Sequence, residues 1–243
     1  MKSARKADLL SFFLILILAF LLCLCFSLCA ARFQAESAPV QGDGEEPFLE
    51  VVLDAGHGGE DGGAVSSQGY FEKNVNLSLC IRLQTMLESN GMPVIMTRTE
   101  DILLYDRTQD YHGRKKALDL LARREIGEEH PDALFLSIHM NAYPLPQYHG
   151  LQVWYSKNHP LSCEVAKEIQ HTVSSSLQPE NDRAVKAAGS SIYLLHQLSS
   201  PAILVECGFL SNPEEAEALN DPAYQKKLAF LLTLAVMESK NRE

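Results

Sequence analysis

Four side chains in this sequence combine donor and acid chemistry at separated points. His57 stands in the glycine-rich run Asp54-Ala55-Gly56-His57-Gly58-Gly59, and Glu72 follows it. His139 lies in Ser137-Ile138-His139-Met140-Asn141, and Glu206 in Val205-Glu206-Cys207-Gly208. Two imidazoles and one carboxylate form a donor set that holds catalytic zinc with a fourth position open. Such an ion acts as a Lewis acid and lowers the pKa of water toward about 7. A nearby carboxylate that does not bind the ion, here Glu206, would take and return protons. The glycines beside His57 let the backbone turn sharply and leave room near an ion.

Residue by residue the pattern stays open. A histidine at a strand end is more often a structural hydrogen-bonder than a ligand. Glu72 would also be favourable simply as an acid at a helix N-terminus. Ligands this far apart have no short-range signature. Glu206 is harder to set aside, because a carboxylate after an apolar strand needs a partner or a task. Asp54 suits either support of His57 or a turn. Asn141 suits substrate contact, ligand orientation or capping. Cys207 makes a poor nucleophile, since a carboxylate neighbour raises a thiol pKa. The basic cluster Arg114, Lys115, Lys116, Arg123 and Arg124 reads as a solvated helix face.

Other chemistries fall away. The glycine-rich run reaches Asp61 where a dinucleotide fingerprint needs glycine, and no Gly-Lys-Ser or Gly-Lys-Thr is present. A net charge of -10 argues against nucleic-acid binding. Cys23, Cys25 and Cys29 lie in one apolar run, and Cys80, Cys163 and Cys207 are scattered, so no disulfide framework is indicated.

The elements that must position these residues alternate along the chain. Strands are expected at 49–53, 94–96, 133–138, 151–155, 192–195 and 202–205. Helices are expected at 72–90, 107–126, 160–177 and 222–240, with a further helix start at Asn212-Pro213-Glu214-Glu215. This order predicts a single α/β domain, with a mixed, mostly parallel sheet flanked by helices on both faces. Ligands should collect at its strand ends.

Ahead of that domain, Leu9 to Ala31 is a run of 23 uncharged residues. As a helix it spans about 34 Å, enough to cross a bilayer core. Lys2, Arg5 and Lys6 precede it and should hold the N-terminus in the cytoplasm. The expected organisation is a basic cytoplasmic tail (1–8), a transmembrane signal-anchor or cleaved signal peptide (9–31), a flexible tether (32–47) and a catalytic domain (48–243). The N-terminal helix would thus be the membrane contact. The part beyond residue 31 carries 18 basic and 30 acidic residues, a net of -12.

Four segments in order, VVLDAGHGGEDGGAV, EKNVNLSL, LFLSIHMNA and ILVECGFLSNPEE, resemble the zinc-dependent N-acetylmuramoyl-L-alanine amidases of bacterial cell walls. The likeness covers about residues 48–240 and looks most like the germination-type amidases of spore formers. It implies Zn2+ held by His57, Glu72 and His139, with Glu206 catalytic. Ala55 stands where the family's loop usually has proline, which leaves the ligand intact. The implied reaction is hydrolysis of the amide between N-acetylmuramic acid and L-alanine in peptidoglycan. It would act outside the cytoplasm, at the cell wall or spore cortex, in muramic-lactam formation and germination. An accessory protein that loads zinc or localises the enzyme is compatible with this reading. A zinc peptidase acting on stem peptides and a catalytically silent wall-binding domain are the alternatives.

Overall fold

In the computed structural model, which describes residues 48–106, 108 and 113–240, the apolar runs become one sheet. The expected tail, membrane or signal helix and tether (1–47) lie outside the described residues. Among the described residues no helix is long and apolar enough to cross a membrane.

In chain order the elements are β1 (Glu50–Ala55), α1 (Glu72–Ser89), β2 (Val94–Met96), α2 (Lys115–Glu129), β3 (Ala133–Asn141) and β4 (Gln152–Tyr155). There follow α3 (Leu161–Ser176), β5 (Lys186–Ala187), α4 (Tyr193–Gln197), β6 (Ala202–Phe209), α5 (Pro213–Asn220) and α6 (Pro222–Lys240). The strand order is β2-β1-β3-β6-β4-β5. The β2–β1, β1–β3 and β3–β6 pairs are parallel; β4 runs antiparallel to β6, and β5 parallel to β4. The C-terminal ends of β1, β3 and β6 therefore meet along one edge.

Strand alternation sorts the side chains onto two faces. Val51, Leu53, Leu134, Leu136, Ile138, Ile203 and Val205 join a large core with Leu79 and Leu83 of α1, Ile169 of α3 and Leu228 and Leu232 of α6. The opposite face carries Val52, Phe135 and Ala202 under a smaller cluster with Leu194, Leu195 and Leu198. Helices thus cover both faces, as expected, but unequally. The smaller cluster ends partway along the strands. Beyond it the same alternation places Asp54, Ser137, His139 and Glu206 on the thinner face.

Two expectations change. Residues 192–195 are not a strand: Tyr193–Gln197 is the short helix α4. Four apolar residues fit either state by periodicity, and the buried positions Leu194, Leu195 and Leu198 fall at helical spacing against the sheet. Of the helix expected at 107–126, residues 107 and 109–112 lie outside the described residues, and the described helix runs from Lys115 to Glu129; Pro131, two residues past its end, fits a helix stop. β5, only two residues long, had no pattern to announce it.

Candidate metal and catalytic site

His57 and Glu72 flank the ends of β1 and α1, and His139 and Glu206 lie in the C-terminal halves of β3 and β6. His57 follows β1 in a left-handed backbone conformation, φ 62°, which a non-glycine residue adopts only when its surroundings hold it there. Glu72 is the first residue of α1. Its backbone N donates to Ala64 O at 2.9 Å, and Ala64 N donates to its Oε2 at 2.8 Å. This reciprocal pair ties the glycine-rich loop to the helix. His139 and Glu206 occupy facing register positions on β3 and β6.

The structure brings His57, Glu72 and His139 together. One ligand atom from each lies within 4.8 Å of the others. Glu72 Oε1 is 3.2 Å from His57 Nε2 and 2.9 Å from His139 Nδ1. Two ligands about 2.0–2.1 Å from a tetrahedral ion stand about 3.3 Å apart, so the set matches zinc in type and scale. The imidazole rings meet edge to face, with centroids 5.0 Å apart and planes at 74°. Two glycines make the space. A Cβ on Gly56 would sit 2.2 Å from His139 Nε2, and one on Gly63 would sit 2.5 Å from Glu72 Oε2. The residues present therefore fit a metal ion.

Charge follows from this packing. Burial pushes the Glu72 carboxyl up, but hydrogen bonds and charge from His139 and His57 outweigh it and hold Glu72 well below the usual carboxylate range. Burial pushes His57 down, while Glu72 and Asp61 outweigh it and raise it. Glu206 behaves oppositely. Burial raises its pKa, helped by Glu72 and opposed by the two histidines. No group among the described residues hydrogen-bonds its buried Oε2. Burial, then Glu206, pushes the Cys207 thiol far up, consistent with an inert side chain.

Asp54 does not touch the His57 ring. It lies buried in an ion pair with Arg123 Nη1 at 2.5 Å, and it accepts from Thr97 Oγ1 at 2.8 Å and Ser137 Oγ at 2.6 Å. Its support reaches His57 through Arg123, whose Nη2 donates to His57 O at 2.7 Å. Arg123 is therefore not on a solvated face. It is 1% exposed, and its Nε also pairs with Asp119 at 2.8 Å. Asn141 ends β3, and its backbone O accepts from Leu210 N at 2.8 Å.

Three supporting residues escaped the sequence reading. Asp61 Oδ2 lies 2.9 Å from His57 Nδ1 in a bent contact, the position of a carboxylate that orients a metal-binding imidazole. Its signal is the spacing of four from His57 in a tight turn. Arg98 donates to Ala55 O at 2.8 Å and Gly56 O at 3.0 Å. Asn76 Nδ2, one helical turn after Glu72, donates to Gly56 O at 3.0 Å. Two arginines and an amide thus hold the carbonyls of residues 55–57. Beside the metal-type cluster runs a cavity of ≈ 250 Å³ between the sheet, α2 and the segment through α4, lined by His57, His139, Glu206, Lys116 and Ile192 among others.

The profile of the N-acetylmuramoyl-L-alanine amidase family matches residues 51–238. The germination-specific N-acetylmuramoyl-L-alanine amidase of Bacillus subtilis (strain 168) is 38% identical over 179 residues, 74% of each chain. The solved CwlD amidase from Clostridioides difficile, in complex with the GerS lipoprotein, superposes with TM-score 0.74 at 36% identity, covering 79% of this chain and 98% of that one. The amidase AmiC2 of Nostoc punctiforme superposes with TM-score 0.68 at 28% identity, covering 82% and 100%.

Proposed function

This chain belongs to the N-acetylmuramoyl-L-alanine amidase family, and from that premise we propose that His57, Glu72 and His139 hold a zinc ion on which Glu206 acts as proton carrier. The chain is a hydrolase of the amide joining N-acetylmuramic acid to L-alanine in peptidoglycan. The observation that carries the metal reading is the meeting of three donors within 4.8 Å, with Glu206 in register beside His139.

When bound, zinc would polarise the amide carbonyl and favour ionisation of water. The chain's own residues supply the rest. Glu72 Oε1 lies beside His57 Nε2 and His139 Nδ1, the atoms that would share the ion, and Asp61 Oδ2, 2.9 Å from His57 Nδ1, favours the tautomer with its proton on that nitrogen. Glu206 takes a proton from the attacking water at its free Oε2 and returns it to the departing alanyl nitrogen. Ile192 and Leu204 give the cleft an apolar wall.

The likeness to a germination-specific relative supports a role in spore cortex maturation, and so action outside the cytoplasm. Attachment through an apolar helix at 9–31 fits that location. The lipoprotein bound to the CwlD amidase supports an accessory protein for this chain too, one that loads zinc or localises the enzyme. The test is mass spectrometry of cortex and vegetative peptidoglycan digested with residues 33–243, with and without a chelator. The expected product is intact stem peptide with an N-terminal L-alanine, lost on chelation. Cleavage within the stem peptide would instead make the chain a peptidase.

A further inference from the structure

Beyond the metal-type cluster, the cleft contains two permanent cations among its described lining residues. Arg123 is buried and committed to Asp54 and Asp119. Lys116 is different. It stands in the first turn of α2 with its side chain 66% exposed, and its ammonium lies 3.3 Å from Asp61 Oδ2. The same oxygen lies 2.9 Å from His57 Nδ1, so the ammonium is no further than about 6 Å from that nitrogen, the sum of the two distances.

We infer that Lys116 recognises a free carboxylate on the second residue of the stem peptide and so selects acid over amidated substrates. The inference rests on the amidase reading. Crossing the imidazole and one metal bond adds about 4 Å, so the ammonium stands within about 10 Å of the metal position. One peptide step is about 3.8 Å between Cα atoms, which places a carboxylate on the residue after alanine on the order of 7 Å from the scissile carbonyl. With a charged hydrogen bond of about 2.8 Å that carboxylate reaches out to about 10 Å, so the ammonium's upper bound lies within its range.

Lys116 is able to change partners. An exposed ion pair contributes little, and Asp61 keeps His57 and the Gly63 N–H (3.2 Å) when Lys116 leaves. The lysine stem is flexible and its ammonium is a point charge that needs no fixed plane. The contact with Asp61 holds the ammonium at the rim of the cleft before substrate arrives.

The test uses the zinc-loaded full chain on two substrates, muramoyl-L-alanyl-D-glutamate and its α-amide, D-isoglutamine in place of D-glutamate. The wild type should favour the acid in kcat/KM by about three- to fivefold, the upper part of the range for one exposed charged contact. Lys116→Gln should bring that ratio to within about twofold of one, Lys116→Glu should invert it, and Lys116→Arg should keep it. Lys226→Gln, on α6 away from the cleft, should keep the wild-type ratio. Calorimetry with the product L-alanyl-D-glutamate should show weaker binding to Lys116→Gln by the same factor. A wild-type ratio near one, or an unchanged ratio in Lys116→Gln, overturns the inference. If neither substrate is cleaved while the dipeptide still prefers the wild type over Lys116→Gln, the amidase reading fails and the carboxylate recognition stands.

Discussion

Replacing Arg123 by methionine should unfold the site from beneath. The guanidinium joins Asp54 at 2.5 Å and Asp119 at 2.8 Å, and it donates to Ala55 O at 2.8 Å and His57 O at 2.7 Å. Methionine keeps the unbranched stem and removes all four contacts. Two buried carboxylates then lose their cation, and the carbonyl of a residue held at φ 62° loses its anchor. Breaking one buried pair from one side costs about 3–5 kcal/mol. For a domain of this size that lowers Tm by roughly 6–20 °C. Adding Asp54→Asn should recover part of the loss, because an amide can keep Ser137 and Thr97 without a buried charge. Freed from Arg123, His57 no longer presents Nε2 in one place, so zinc affinity should fall about tenfold or more. Denaturant unfolding with chelator gives the first quantity, and competition against a chromophoric chelator gives the second. A loss under about 1 kcal/mol with unchanged zinc affinity would refute the assignment of Arg123 as the support of the loop.

Glu206→Gln should lower turnover by about 10²–10⁴-fold while leaving zinc affinity nearly intact, measured by steady-state kinetics and metal competition. Its stability has a pH signature in the metal-free protein. The folded pKa of Glu206 is raised, so the wild-type carboxyl is most favourable to folding at low pH and loses that advantage as pH rises through the folded pKa. Glu206→Gln should therefore be more stable than wild type at neutral pH, with the gap closing below about pH 4; a gap that widens on acidification contradicts it. Asp61→Asn should weaken zinc binding by about 10–100-fold with little change in the metal-free Tm, read by competition and calorimetry. Gly63→Ala should cost about 1–3 kcal/mol and weaken zinc binding, because the new methyl meets Glu72 Oε2 in a backbone at φ 65°; unfolding curves and metal content check both.

The strands and long helices were legible because their signals are local. Continuous apolar runs at 133–138 and 202–205 read as buried parallel strands, and the structure extends them to Asn141 and Phe209. The polar ends His139 and Glu206 escaped the apolar pattern because they serve the site. Their meeting with His57 and Glu72 was not written in any spacing; residue chemistry suggested the set as one reading among several, and the resemblance narrowed it. Arg123 was unreadable for a related reason. Its partners are Asp54 and His57, far along the chain, and a cluster of five basic residues hides which one turns inward. Only Asp119, four residues before Arg123 on the same buried stripe of α2, hinted at it. The 192–195 run failed because four apolar residues leave length as the arbiter, and that segment is too short for length to decide.

Two carboxylates on one face of the sheet show why Glu206 is the reacting acid and Asp54 is not. Both stand in the C-terminal halves of their strands on the thinner side, and both are buried. Around Asp54 the fold supplies Arg123, Thr97 and Ser137, and these, against the burial that pushes it up, hold its pKa below the ordinary value. Such a group stays ionised and fixed, and it has no capacity left for substrate. Around Glu206 no described residue donates to Oε2, and burial raises the pKa. A buried polar atom without a partner costs about 1–3 kcal/mol, and a native structure keeps one only where something else completes it. Surroundings that push two carboxyls of one sheet face in opposite directions divide structural from proton-transfer duty. By that division Asp54 holds the loop that presents His57, and Glu206 waits for the proton of the water that attacks the amide.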